Sequence, residues 1–448
     1  MSKLFFNNVL LKDGWARNVL IEQDEAGWIT AVTPDAEVPE SGTSGQIAVP
    51  GVANLHSHAF QRAMAGLGEW RAADGDSFWS WREVMYRFLG RLRPEDMEAI
   101  ASQLYVEMLE AGFTAVGEFH YVHHQTDGTP YDNLAEMAHR IEAAAEHSGI
   151  ALTHLPVFYA QGGFGGQPTG GAQARFANDP ERFAKLVAAL GSAERTVVGI
   201  APHSLRAVTP ESLSEVVNAA PPGPIHIHIS EQVKEVEDCL AWSGQRPVEW
   251  LLNHQSIDQR WCLIHATHMS DAETEGTAAR GAIAGLCPIT EANLGDGTFN
   301  GVVFEAAGGR WGVGSDSHIR IDLAEELRAL EYSQRLRDLG RNRLAPDGGA
   351  GGRALFQMAA EGGAHALQQK MGVIEPGRAC DIVSLDADHP VLIGKRDDDW
   401  LNSWIFAGDG RCVRDVWVSG RQMVTAGRHP KRDEVRAAFA KTMEHLVD

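Results

Sequence analysis

Eight short apolar runs, separated by longer amphipathic stretches, restrict what this chain can fold into more than any other feature. They are VANLH (52–56), FTAVGEF (113–119), ALTHLPVFY (151–159), VVGIAPH (197–203), IHIHI (225–229), WCLIHA (261–266), AIAGLCP (282–288) and WGVGSD (311–316). As a set they lack the alternation of half-exposed strands, so they read as strands buried on both faces. The stretches between them read as helices. In residues 94–111, Pro94 opens the segment, Met97, Ile100, Leu104 and Met108 share one face, and Gly112 ends it. Eight strand–helix units in this length predict an α/β fold, a (β/α)8 TIM barrel, over residues 50–370.

The flanks follow another grammar. Residues 1–49 carry the strand-like runs LFFNNVLL, ARNVLIE and WITAV, with Asp, Gly or Asn at the turns. Residues 371–448 return to it in GVIEPGRACDIVSLD and CVRDVWVSGRQMVTAGRH, then end on the helix-like KRDEVRAAFAKTMEHL. Both flanks together are expected to form one small β-sandwich domain, discontinuous in sequence, with a C-terminal helix. DGGAGG (347–352) reads as a flexible loop.

Most of the eight runs end in a group able to do chemistry: His56 and His58, Tyr121 just past the second run, then His203, His228, His265 and Asp316. In a barrel all strand C-termini meet at one mouth, so these residues are expected to converge there. His56-Ser57-His58 closes the first run, and alternate residues of a strand face the same side, so both imidazoles can reach one ion. Imidazole nitrogens plus one carboxylate suit a catalytic zinc with a position left for water. His226 shares a face with His228 and competes with it. His228 lies nearer the strand's C-terminal end, and His226 reads as a packed core histidine.

Charge limits the partners. The chain carries 39 basic and 60 acidic residues, a net charge of -21, which argues against a nucleic-acid or anionic-membrane surface. An anionic substrate would need local cations against that field. Cys239, Cys262, Cys287, Cys380 and Cys412 are scattered, which suggests a reducing, cytoplasmic setting, and Cys262 and Cys287 read as core filler. MSKLFFNNVLLKDG is not a convincing signal peptide, and no run reaches the apolar length of a membrane span.

The motifs also carry a resemblance. PGVANLHSHAFQRAMAGL resembles the opening motif of the amidohydrolase superfamily. HIHISEQ (226–232) is similar to the fifth-strand motif of its deaminase branch, LIHATHM (263–269) to the sixth-strand histidine, and GVGSDSH (312–318) to the eighth-strand aspartate. GVIEPGRACDIVSLD resembles the segment that returns to the small domain, with Cys380 where alanine is usual. GSDSHIRIDLAEELRALEYSQRLR (314–337) and FWSWREVMYRF (78–88) resemble the group acting on a linear amidine.

The resemblance implies metal ligands at His56, His58, His228 and Asp316. The fourth-strand end reads APHSLR, with no lysine to bridge a second ion, so one divalent ion is expected, zinc first and iron second. It implies Glu231 as proton shuttle, with His265 orienting water or stabilising charge and Asp316 accepting a hydrogen bond from that water. The implied reaction is hydrolysis of N-formimidoyl-L-glutamate to N-formyl-L-glutamate and ammonia, in histidine degradation. Its small-molecule dicarboxylate substrate would meet Gln61, Arg82, Tyr121, His203 and Arg206, the arginines suited to carboxylates. A homodimer is expected from the family alone. Trp70, Trp79 and Trp81 stay open between lid, dimer contact and core. The rival readings are a deaminase of a purine, pyrimidine or triazine ring, a ring-opening imidazolone hydrolase, and a non-catalytic scaffold.

Overall fold

A computed structural model describes residues 2–39, 42–70, 78–191 and 195–447. Eight parallel staves form the barrel: β1 (Val52–Ser57), β2 (Phe113–His120), β3 (Ala151–Phe158), β4 (Thr196–Val198 continued by Ala201–Pro202), β5 (Ile225–Ile229), β6 (Trp261–His265), β7 (Ile283–Leu286) and β8 (Arg310–Val313). Strands β1 to β4 pair in sequence, and so do β5 to β8. Two backbone seams close the ring. His226 N donates to Ile200 O (3.1 Å) and His228 N to His203 O (3.1 Å), joining β5 to β4. Asp316 N donates to His56 O (3.0 Å) and His58 N to Asp316 O (3.2 Å), joining the chain after β8 to β1. The second seam is thus built from the residues expected to hold the metal.

Helices cover the barrel's outside. The segment read as a helix from Pro94 runs Pro94–Glu110, its Met97, Ile100, Leu104 and Met108 all buried. Asp96 accepts from the Arg93 backbone N–H (3.0 Å), which fixes the first turn. The Gly-rich stretch differs from expectation at its end, because Gly351 and Gly352 open the helix Gly351–Ala366. Gly352 lies against another chain segment so closely that a Cβ there would come within 2.6 Å of Asn402 N. Asn402 Oδ1 accepts from its N–H (2.8 Å). The glycine serves packing there, not flexibility.

The two flanks do meet. Their strands hydrogen-bond into one seven-stranded mixed sheet, ordered Arg421–Val424, Val413–Val418, Ile382–Leu385, Thr43–Pro50, Ser2–Leu11, Gly14–Gln23 and Ile29–Thr33. The ladder is continuous, because Thr43–Pro50 pairs parallel with Ser2–Leu11 and antiparallel with Ile382–Leu385. It curls over on itself to make the expected sandwich: Phe6 and Trp417, three strands apart, meet with ring centres 5.5 Å apart, and Gln23 Nε2 donates to Gly420 O (3.2 Å). Alternation then serves two cores. Ile47 and Val49 face the barrel, while Ala48 joins Leu4, Phe6, Ile21 and Trp417 in a core of the sheet's own. A buried ion pair, Arg195 Nη2 to Asp381 Oδ2 (2.8 Å), ties barrel to sheet. The C-terminal helix runs Arg432–Val447. Among the described residues no helix is long and apolar enough to cross a membrane.

Candidate metal centre and cavity

Four side chains converge at the mouth. His56 and His58 come from β1, His228 from β5, and Asp316 from the turn after β8. His228 Nε2 lies 3.0 Å from His56 Nε2 and 3.3 Å from His58 Nε2. Asp316 Oδ1 lies 3.3 Å from the Nε2 atoms of both His56 and His58. Four ligands about 2.0–2.1 Å from one ion at tetrahedral angles stand about 3.3 Å apart, so the spacing fits a single divalent ion. The donor chemistry fits too. His58 Nδ1 donates to Phe119 O (2.9 Å) and His228 Nδ1 to His203 O (3.1 Å), so each turns an Nε2 lone pair inward. Burial pushes His56 down to about 3, against its hydrogen bond to the Asp316 carboxylate, and also lowers His58 and His228. Neutral imidazoles are the ligand form. Lone pairs aimed at one another at these distances repel unless a cation lies among them.

The local backbone is specialised. Ser230, His265, Asp316 and His318 all adopt positive φ (53°, 66°, 46° and 57°), an uncommon state for non-glycine residues that clusters at functional sites. Gly314 lets the eighth-strand turn reach β1, since a Cβ there would lie 2.6 Å from His56 N. Beneath the ligands, Ser57 points away from the metal side and donates to Glu118 Oε2 (2.5 Å), which also accepts from Tyr105 OH (3.1 Å). Ala59 N donates to Glu118 Oε1 (2.7 Å). His318 Nδ1 pairs with Ser315 Oγ (2.9 Å), and its Nε2 accepts from His58 N (3.2 Å).

Above the quartet opens a small cavity. His58, Gln61, Arg82, Tyr121, His203, Arg206, His228, Glu231, His265 and Asp316 all line it, and His56 lies fully buried behind them. Gln61 Nε2 donates to Tyr121 OH (3.0 Å), and Arg82 sits with its guanidinium carbon 5.1 Å from the Tyr86 ring centre. His203 is held well below its usual range by burial and then by the Arg206 guanidinium. Burial raises Glu231, opposed by the charges of His265 and Arg206. His265 Nε2 stands 3.8 Å from Glu231 Oε1, and its Nδ1 stands 3.4 Å from Glu291 Oε1. Burial works to lower His265, but these carboxylates outweigh it and push the imidazole up to about 10. It therefore stays cationic near neutral pH.

Some groups weighed in the sequence lie outside the quartet, and others were not weighed there. His226 stays out of the cluster, its Nε2 donating to Ala366 O (2.9 Å). Cys287 is buried, yet its Sγ falls within 4.8 Å of donor atoms of His265 and Asp316. Trp81 lines the cavity, Trp70 is 81% exposed, and the Trp79 side chain lies outside the described residues. Tyr86, Tyr159 and Phe176 add aromatic walls. Glu118, Glu235, Glu291 and His318 were not singled out. A glutamate inside the apolar run FTAVGEFH was the one signal for Glu118, because a buried carboxylate needs donors.

Three histidines and an aspartate at a barrel mouth, beside a buried glutamate, are a donor set suited to metal-assisted hydrolysis. The amidohydrolase family model matches residues 47–423. The chain is 50% identical to formimidoylglutamate deiminase of Pseudomonas aeruginosa over the full length of both. It is 26% identical to that organism's 8-oxoguanine deaminase, covering 86% of this chain and 83% of the relative. The crystal structure of an amidohydrolase from Brucella melitensis superposes with a TM-score of 0.96 at 53% identity over all of both chains. An adenosine deaminase from Xanthomonas campestris with bound zinc shares the fold, with a TM-score of 0.80 at 20% identity, covering 99% and 98% of the chains. The chain belongs to the amidohydrolase family, whose members depend on metal.

Proposed function

We propose that this chain is a zinc-dependent cytoplasmic deaminase that converts N-formimidoyl-L-glutamate and water to N-formyl-L-glutamate and ammonia. The observation that carries it is the placing of two guanidinium groups, Arg82 and Arg206, in the wall of a cavity that His58, His228 and Asp316 of the donor quartet also line. On a protein of net charge -21, such cations are what a dicarboxylate requires. Full-length similarity to formimidoylglutamate deiminase supports the same substrate.

His56, His58, His228 and Asp316 would hold the ion, which when bound supplies Lewis acidity and lowers the pKa of water at the site. Glu231 takes a proton from that water as oxygen attacks the amidine carbon, and the C=N bond becomes C–N. That proton passes to the terminal nitrogen. Glu231 then takes the second proton from the new hydroxyl and delivers it to the same nitrogen as the C–N bond breaks, so the formyl C=O forms and ammonia leaves. His265 holds its positive charge beside Glu231 and favours the carboxylate that starts the cycle. Gln61, Tyr121 and His203 orient the amidine, and Arg82 and Arg206 take the carboxylates.

The direct test is ammonia release from N-formimidoyl-L-glutamate by metal-loaded protein. Rapid release is expected. No release from protein shown to contain metal would remove this substrate and turn attention to ring amines. Metal itself is a separate prediction. One divalent ion per chain is expected by elemental analysis, and His228→Ala should lose it and most activity while remaining folded by circular dichroism. Full metal content in that variant would take His228 out of the site.

A further inference from the structure

We infer that Glu235 is a positioning residue for Glu231, acting by holding the backbone turn from which the shuttle projects. The inference rests on the proposed role of Glu231. Glu235 sits in the first turn of the helix Val233–Ser243 and is buried, 4% exposed. A carboxylate at this helix position ordinarily reaches back to the amide of the capping residue, here Gln232. Glu235 instead reaches further. Its Oε1 accepts from Ser230 N (3.1 Å) and its Oε2 from Glu231 N (3.1 Å).

Those two amides flank the residue that most needs holding. Ser230 has φ 53°, a left-handed state that a side chain with a Cβ disfavours. That single residue turns the chain from β5 toward the cavity, so Glu231 faces His265 within three residues of His228. Both oxygens of Glu235 are engaged on backbone, and Glu235 does not line the cavity. Its influence on the reaction therefore runs through the place of Glu231, where about 1 Å of displacement is worth about 100-fold in rate.

The test uses the full-length, metal-loaded enzyme. Glu235→Ala should lower kcat by about 100-fold, with KM within about threefold and metal content at the wild-type level. Glu235→Gln keeps one acceptor oxygen and should lie between it and wild type. In a Glu231→Gln background, adding Glu235→Ala should change the residual rate less than about twofold, because the group being positioned is gone. Equal losses in both backgrounds would overturn the inference, since Glu235 would then act on the fold at large. A crystal structure of Glu235→Ala reads the same point without activity. Ser230 should leave its left-handed conformation and the Glu231 carboxylate should move away from His265. An unmoved Glu231 would overturn the inference whatever the substrate, whereas failure of wild-type turnover would fall on the substrate alone.

Discussion

Glu231→Gln should lower kcat for N-formimidoyl-L-glutamate by about 10³-fold, within the span of general acid–base contributions, and leave metal content and KM near wild type. The substitution conserves shape and removes only the capacity to accept and return a proton. Glu231 is not one of the four clustered donors, so the ion should stay. The carboxylate is the active form at the start of the cycle. Burial raises its pKa above the ordinary range, so activity should be present above that raised value and fall as pH drops through it. The acid limb of the kcat/KM profile should accordingly sit above that of a solvated carboxylate, and the residual rate of the variant should lack it. Steady-state kinetics across pH check both points. A variant rate within tenfold of wild type would remove Glu231 from proton transfer.

Why Glu231 was legible, and its support was not, is a matter of spacing. HIHISEQ keeps the ligand and the shuttle three residues apart at one strand end, and a barrel brings every strand end to one mouth. The same logic exposed His56, His58, His265 and Asp316, and the eight apolar runs exposed the staves. Glu235, Glu118 and Glu291 act differently. Each grips a backbone N–H: Glu235 those of Ser230 and Glu231, Glu118 that of Ala59, and Glu291 that of Cys287. Backbone amides occur at every residue except proline, so such a pairing leaves no complementary residue type to search for. Which face of the small domain meets the barrel was hidden for a related reason. Alternation in Ile47-Ala48-Val49 says that both faces are covered, but not whether the cover is a second sheet or the barrel. Tyr159 ends the third apolar run and was open to the same logic, whereas Phe176 reaches the cavity from a connection whose course only tertiary packing decides.

Arg206→Ala should raise KM for the dicarboxylate by about 10²–10³-fold, the equivalent of about 3–4 kcal/mol, in the range for truncating one partner of a buried charge pair. Arg206 occupies the 3-10 turn Leu205–Ala207 directly after β4, so a rigid strand end sets its position. Its charge is felt by His203, Glu231 and Glu235, which places the guanidinium over the reacting end of the cavity. Arg206→Lys should recover only part of the loss, because an ammonium cannot offer the paired N–H groups that match a carboxylate. One side effect has a definite sign. Removing this cation withdraws stabilisation from the Glu231 carboxylate, so the acid limb should move to higher pH, and the comparison belongs on the plateau above it. A formimidoyl amine lacking carboxylates separates binding from chemistry. It should be a poor substrate for both enzymes, with kcat/KM values converging to within a few-fold, since it has nothing for Arg206 to hold. If Arg206→Ala instead left KM for the dicarboxylate unchanged, or weakened the carboxylate-free analogue equally, the guanidinium would be serving the protein's own acids rather than the substrate's.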